Sequence, residues 1–135
     1  MNEVSVQRNY KDTIFRMLFK DKENLLSLYN ALNNTAYTDV SGLEITTLEN
    51  AVYMNYKNDV SFVFDSELML YEHQSTMNPN MPLRDLFYVS DTLHKRIYSK
   101  DLYGKNLIRI PAPRFVVFYN GVTYQPEVQT LKLSI

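Results

Sequence analysis

The chain has 135 residues, a net charge of −1 and no cysteine, and 45% of its residues are hydrophobic. This length and composition predict a single domain, residues 1–135, with one hydrophobic core. The lack of cysteine excludes disulfide bonds and thiolate zinc sites. Only three glycines occur, and none belongs to a P-loop or a dinucleotide-binding motif.

The longest purely apolar run, Phe115 to Tyr119, is too short to cross a membrane. The first residues form neither a basic nor a hydrophobic leader, so we expect a cytoplasmic protein with no membrane partner. Charge is uneven, because residues 1–83 hold 6 basic and 11 acidic side chains and residues 84–135 hold 8 and 4. The basic half could meet phosphates, although ordinary solvated surface explains the same charges more simply.

The first half of the chain predicts a helix followed by strands. Apolar stripes indicate a helix from Asp12 to Asn33 in two pieces, with a break at residues 21–24 and Asp21 as a candidate N-cap. Leu43 to Leu48 alternates and predicts a strand, and Ala51 to Tyr56 either extends that strand or forms another. Two apolar runs, residues 58–64 and 68–75, predict two further strands joined by a short polar link.

The second half predicts a helix and then a buried strand. Pro82 fits the first turn of a helix from Leu83 to Ser99. Residues 114–119 are continuously apolar after Arg114, which suits a central strand buried on both faces. Residues 127–133 predict one more strand or the start of a helix. The predicted apolar face of the helix consists of Leu83, Leu86, Phe87, Ser90, Leu93, His94 and Ile97.

This order predicts a small mixed α/β sheet with helices on its faces. Within it, the hairpin formed by the two middle runs brings two acids together. If Asp65 and Ser66 form a two-residue loop, Phe64 faces Glu67, and counting back along both strands sets Asp59 opposite Glu72. Directly opposed residues share a face, and two facing carboxylates repel each other unless a cation lies between them. The pattern therefore predicts a divalent-metal site.

The predicted metal site depends on the register of the hairpin. Gln74 shares the face of Glu72, because strand side chains alternate with period two. A three-residue loop would instead set Glu72 opposite Val60 and turn Asp59 to the other face. A bulge near the turn could restore the alignment.

The element order and these residues resemble the PD-(D/E)XK nuclease superfamily, which has the restriction-endonuclease-like αβββαβ fold. Within it, the chain resembles the recombination-promoting nuclease (Rpn) family, a transposase-like branch. The resemblance covers the chain from about residue 10 to near its end. The stretches that carry it are Lys11–Phe19, Asn58–Phe62, Tyr71–Ser75, Asn80–Arg84 and Phe115–Gly121.

The resemblance implies a DNA endonuclease that hydrolyses phosphodiester bonds with Mg²⁺, or alternatively with Mn²⁺ or Ca²⁺, in recombination or mobile elements. Asp59, Glu72 and the backbone carbonyl of His73 would hold the ion, which would activate water and neutralise charge on the phosphate. Gln74 would position that water. By its parity in the strand, the side chain of His73 is expected to point away from the metal.

Three further residues complete the implied site. Asp12, near the start of the first helix, would be an accessory acid, although a helix-start acid favoured by the dipole explains it equally well. Arg84, which follows the site at the start of a helix, would bind a DNA phosphate, and Lys95 is added because helical spacing places it on the same face. A surface arginine explains Arg84 about as well.

The chain departs from the family in two respects. Gln74 replaces the superfamily's usual lysine and cannot carry positive charge. The chain is also shorter than family members, so it is expected to be a catalytic core that is either naturally short or truncated at its C-terminus. Two alternatives to an active nuclease therefore remain. One is a DNA-binding module that has lost cleavage, and the other is a regulatory short form that pairs with a full-length relative. A homodimer is a further expected assembly.

Overall fold

The computed structural model describes residues 14–48, 59–127 and 129–133. A helical turn at residues 14–18 precedes the other elements. The helices are α1 (Lys22–Asn33), α2 (Met81–Arg96) and α3 (Ser99–Leu102), and the strands are β1 (Glu44–Ile45), β2 (Val60–Phe64), β3 (Glu67–Gln74) and β4 (Ala112–Tyr119). No helix in the described ranges is long and apolar enough to cross a membrane.

The four strands form one mixed sheet in the order β1-β2-β3-β4. The first three strands pair antiparallel, whereas β4 runs parallel to β3 after the crossover through α2 and α3. Helices pack on both faces of this sheet. The prediction of a mixed α/β sheet flanked by helices is therefore confirmed.

Local sequence signals determine where α1 begins and ends. The Asp21 carboxylate accepts the backbone N–H groups of Glu23 at 2.7 Å and Asn24 at 3.4 Å, which caps the helix as predicted. At the other end, Asn34 adopts the left-handed conformation with φ of 56°, which stops the helix. Asp12 and the predicted strand Ala51–Tyr56 lie outside the described residues.

The β2–β3 hairpin has the predicted two-residue loop. Asp65 and Ser66 have φ values of 51° and 62°, as a type I′ turn requires at both central positions. Phe64 pairs with Glu67, and the ladder continues back to Val60 and Tyr71. The next opposed residues are Asp59 and Glu72, so the predicted register is confirmed.

The alternation of side chains divides the sheet into two faces. On the α1 face, aromatic and aliphatic side chains of β2 and β3 pack against Leu25, Leu26 and Tyr29 of α1. On the α2 face, Leu68 and Leu70 pack against Tyr88 of α2. The α1 face carries Val60, Phe62, Phe64, Met69 and Tyr71, and the α2 face carries Ser61, Val63, Leu68, Leu70, Glu72 and Gln74.

The predicted apolar face of α2 is wrong. The side chains that α2 buries are Met81, Asp85, Tyr88 and Thr92. On the predicted face, Leu83, Leu86 and Phe87 are 42%, 47% and 37% exposed. The helix covers a sheet face that carries the acid Glu72, so its inward side is partly polar, and apolar periodicity alone selected the wrong stripe.

Two predictions near the end of the chain are also wrong. The strand at residues 114–119 exists, but β4 is an edge strand of the described sheet, and its first four residues are exposed. A continuous apolar run suits a central strand, but the run itself does not specify where a strand lies in the sheet. Residues 127 and 129–133 form neither a strand nor a helix.

Candidate functional site

Two acidic side chains lie at the open end of the β2–β3 hairpin, on the α2 face. Beyond the last ladder pair, the Glu72 carboxylate accepts the backbone N–H of Asp59 at 3.4 Å, and the Asp59 carboxylate accepts the N–H of His73 at 2.8 Å. Each carboxylate thus bonds the backbone of the opposite strand at the point where the regular ladder stops. These two contacts bring Asp59 and Glu72 together, as predicted.

Glu72 is the more deeply buried of the two acids, with only 2% of its surface exposed, compared with 8% for Asp59. Burial, followed by the neighbouring charge of Asp59, raises the pKa of Glu72 to about 9. The positive charge of Arg84 opposes this rise. Among the described residues, no cation lies within ion-pair distance of Glu72.

Asp59 does have a cationic partner. Arg16, in the helical turn at residues 14–18, donates to Oδ1 of Asp59 from Nη2 at 3.2 Å and from Nε at 3.4 Å. The other oxygen, Oδ2, accepts the N–H of His73. Because an ionised carboxylate has about four lone-pair sites, both oxygens retain capacity for a further ligand.

A second arginine approaches the acids from α2. Arg84 donates from Nε and Nη2 to the hydroxyl of Tyr88 at 3.1 and 3.0 Å, and its guanidinium carbon lies 5.8 Å from the centroid of that ring. Tyr88 is itself buried against the sheet. Arg84 is thus held one helical turn from its anchor, where its charge acts on Glu72.

Asp85 follows Arg84 and is also buried, with one oxygen, Oδ1, that has no hydrogen-bond partner. Burial raises the pKa of Asp85 to about 6, against the opposing charge of Arg84. The charge of Asp85 contributes to the raised pKa of Glu72. The acids therefore influence one another across the interface between β3 and α2.

The residues that follow Glu72 point in the predicted directions. The ring of His73 stacks on Phe15 at 5.4 Å between centroids, so it packs on the α1 face and away from the acids, as expected. Gln74 is half-buried and lies two residues after Glu72 on the α2 face. The backbone carbonyl of His73 stays a predicted ligand.

Lys95 is not brought to the acids. It lies eleven residues after Arg84, about 16 Å further along the helix. The adjacent Arg96 pairs with Glu44, which lies opposite Val63 near the closed end of the hairpin. Lys95 is exposed at that distant end. The accessory acid Asp12 lies outside the described residues.

The donor atoms suit a hard divalent cation. Two adjacent carboxylates supply oxygen ligands, and Mg²⁺ commonly binds one or two carboxylates together with waters and substrate phosphate. Within the described residues there is no group of three or more His, Cys, Asp or Glu side chains able to hold a metal ion. Within the described part of the chain, any further ligands would therefore come from backbone or side-chain amide oxygens, water or a bound substrate.

The role of Arg16 was missed in the sequence. Arg16 belongs to one of the stretches that carry the family resemblance, but a contact between residues 43 positions apart leaves no mark in local spacing. The hydrogen bond between Arg84 and Tyr88 could have been predicted from the sequence, because the two residues are separated by one helical turn. The burial of Asp85 could not, because the sequence indicated the wrong inward face for α2.

Comparisons with protein-family models, with curated proteins and with solved structures gave no match to this chain.

Proposed function

We propose that this chain is the core of a metal-dependent DNA endonuclease of the PD-(D/E)XK type, related to the Rpn family. The observation that carries the proposal is the buried pair Asp59 and Glu72, opposed across a hairpin and flanked by two arginines. Burying two adjacent carboxylates is costly unless a cation joins them. The β-hairpin, the following helix and the parallel β4 agree with a restriction-endonuclease-like order of elements.

In this proposal Asp59, Glu72 and the His73 carbonyl would hold Mg²⁺, with Mn²⁺ or Ca²⁺ as alternatives. The bound ion would supply a more acidic water and charge neutralisation at the phosphate. Gln74 orients the attacking water by hydrogen bonding. The water oxygen forms the new bond to phosphorus, the bond to the leaving sugar oxygen breaks, and that oxygen takes up a proton while the water loses one.

Arg84 binds a phosphate of the DNA backbone. Its guanidinium is already oriented by Tyr88, so less side-chain entropy is lost when it binds a phosphate. Lys95 lies too far along α2 to reach the same phosphate, and its proposed contact is to the DNA backbone further from the acids.

The test is incubation of the protein with supercoiled plasmid and Mg²⁺, Mn²⁺ or Ca²⁺. Glu72→Ala should lose nicking activity. The matched control is Glu67→Gln, because Glu67 lies on the same strand but pairs with Arg114 on the opposite face. The proposal fails if wild-type protein cuts DNA with none of these ions, or if Glu72→Ala cuts as well as wild type.

A second candidate function is a regulatory short form that pairs with a full-length relative. The exposed apolar side chain of Leu86 in α2 favours it, together with Pro113 and Phe115 in the exposed first half of the edge strand β4, because these three residues line the same cavity. Contiguous apolar surface of this kind often marks a protein–protein contact. Co-expression of the chain with a full-length relative, followed by size-exclusion chromatography, tests it. Separate elution would reject this candidate.

A further inference from the structure

Arg16 contacts the metal-site acid Asp59 in a way that leaves it able to move. Both of its donors reach a single oxygen, Oδ1, at 3.2 and 3.4 Å, while Oδ2 is taken by the His73 N–H. This is weaker than the fork in which two donors meet two oxygens. The Arg16 side chain is 47% exposed, so it lies at the solvent side of the site. Releasing such a contact has a small free-energy cost.

The backbone that carries Arg16 is, in contrast, anchored. The adjacent Phe15 stacks on the His73 ring at 5.4 Å and packs against Phe118 at 5.7 Å and Phe19 at 5.0 Å. His73 thus contacts Phe15 through its ring and Asp59 through its N–H. The same strand residue therefore positions both the arginine and the acid.

The charges around the site indicate a role for Arg16 as a source of positive charge near the phosphate. Gln74 is neutral, and Arg84 approaches the acids from α2, on the side of Glu72, whereas Arg16 lies on the side of Asp59. Phosphodiester hydrolysis adds negative charge at the phosphate, and arginine binds phosphate oxygens well because its fork matches their geometry. A divalent ion on Asp59 would repel the Arg16 guanidinium from that carboxylate.

We propose that Arg16 is the counter-ion of Asp59 in the metal-free protein and moves to a phosphate oxygen of DNA when a divalent ion binds. It then supplies the positive charge that Gln74 cannot. This inference rests on the proposed nuclease function, but two of its three measurements do not require cleavage.

The first measurement is Mn²⁺ affinity without DNA, by electron paramagnetic resonance or calorimetry. Arg16→Gln should bind Mn²⁺ about two- to fivefold more tightly than wild type, because a competing cation has been removed. The control Arg109→Gln removes an exposed arginine near the start of β4, at the far end of the sheet, and should leave the affinity unchanged. Equal or weaker Mn²⁺ binding by Arg16→Gln overturns the counter-ion role.

The second measurement is binding of a short DNA duplex with and without Ca²⁺. Ca²⁺ should strengthen binding by wild type more than by Arg16→Gln, by about tenfold. The third is single-turnover cleavage at saturating Mn²⁺, where Arg16→Gln should be about a hundredfold slower. Equal Ca²⁺ effects in both proteins, or equal cleavage rates, overturn the move to phosphate.

These outcomes separate the two proposals. A wild-type protein that binds Mn²⁺ but never cuts DNA refutes the nuclease function, while the first two measurements still decide the role of Arg16. A wild-type protein that binds no Mn²⁺ refutes both. If Arg16→Gln does not fold, Arg16→Lys replaces it. Lysine keeps the charge but lacks the fork, and it should give intermediate values in all three measurements.

Discussion

Glu72 should make the metal-free protein less stable as pH rises. Its pKa is raised from 4.5 to about 9 in the folded protein. Between these values the folded state holds a proton that the unfolded state has released, so the free energy of unfolding falls with increasing pH. Each pH unit in this window costs up to about 1.4 kcal/mol. At pH 7 the total reaches about 3 kcal/mol, a large part of the 5–15 kcal/mol typical of a domain.

Glu72→Gln removes this pH-dependent loss of stability, because glutamine carries no charge at any pH. At pH 5 the variant and wild type should have similar stability, since Glu72 is protonated in the folded protein. At pH 7 the variant should be more stable by about 3 kcal/mol, equivalent to a Tm about 10 °C higher, and the difference should grow further toward pH 8. Asp85, whose pKa is raised to about 6, adds pH dependence of the same sign below pH 6, but it is present in both proteins.

The assay is urea or thermal unfolding followed by circular dichroism at pH 5, 6, 7 and 8 with a chelator present. Glu67→Gln is the control, because Glu67 pairs with Arg114 near the surface. The difference in unfolding free energy between this variant and wild type should change little between pH 5 and 8. The reasoning would be refuted if the free energy of unfolding of Glu72→Gln differed from that of wild type by the same amount at pH 5 and at pH 8. Added Mg²⁺ or Mn²⁺ should raise the Tm of wild type and not of Glu72→Gln, and equal shifts would argue against a metal site.

Three other changes separate chemistry, binding and folding. Asp59→Ala should abolish plasmid nicking yet keep or improve DNA affinity in a gel shift, because it removes a negative charge facing phosphates; retained nicking would contradict its role. Arg84→Gln should weaken DNA binding and lower the slope of log K against log salt by about one, whereas an unchanged slope would exclude a phosphate contact. Ser66→Gly should stabilise the protein by about 1 kcal/mol in thermal melts, because Ser66 has a φ of 62°, and a lower Tm would show that the serine itself is needed.

The features that the sequence predicted well are those fixed by neighbouring residues. The Asp21 cap, the end of α1 at Asn34 and the Asp65–Ser66 turn each depend on a few adjacent positions. The turn then determines the whole β2–β3 register, so the opposition of Asp59 and Glu72 follows by counting.

The features that were missed depend on residues far apart in the chain. The side of α2 that packs inward is decided by the sheet face it covers, which carries Glu72, and not by the apolar stripe of Leu83, Leu86 and Phe87. The edge position of β4 depends on the topology of the sheet. The contact of Arg16 with Asp59 depends on how the turn at residues 14–18 packs against β3.

The tight turn between β2 and β3 also limits how this protein can change in evolution. Surface loops usually tolerate gains and losses of residues, but a type I′ turn of two residues cannot be shortened. Deleting Ser66 would draw Phe64 into the loop and pair Val63 with Glu67, so that Asp59 would lie opposite Tyr71. The two acids would then project from opposite faces, although the lesion lies about 17 Å from Asp59 along β2. Natural relatives that retain the acid pair should therefore show almost no deletions at this turn.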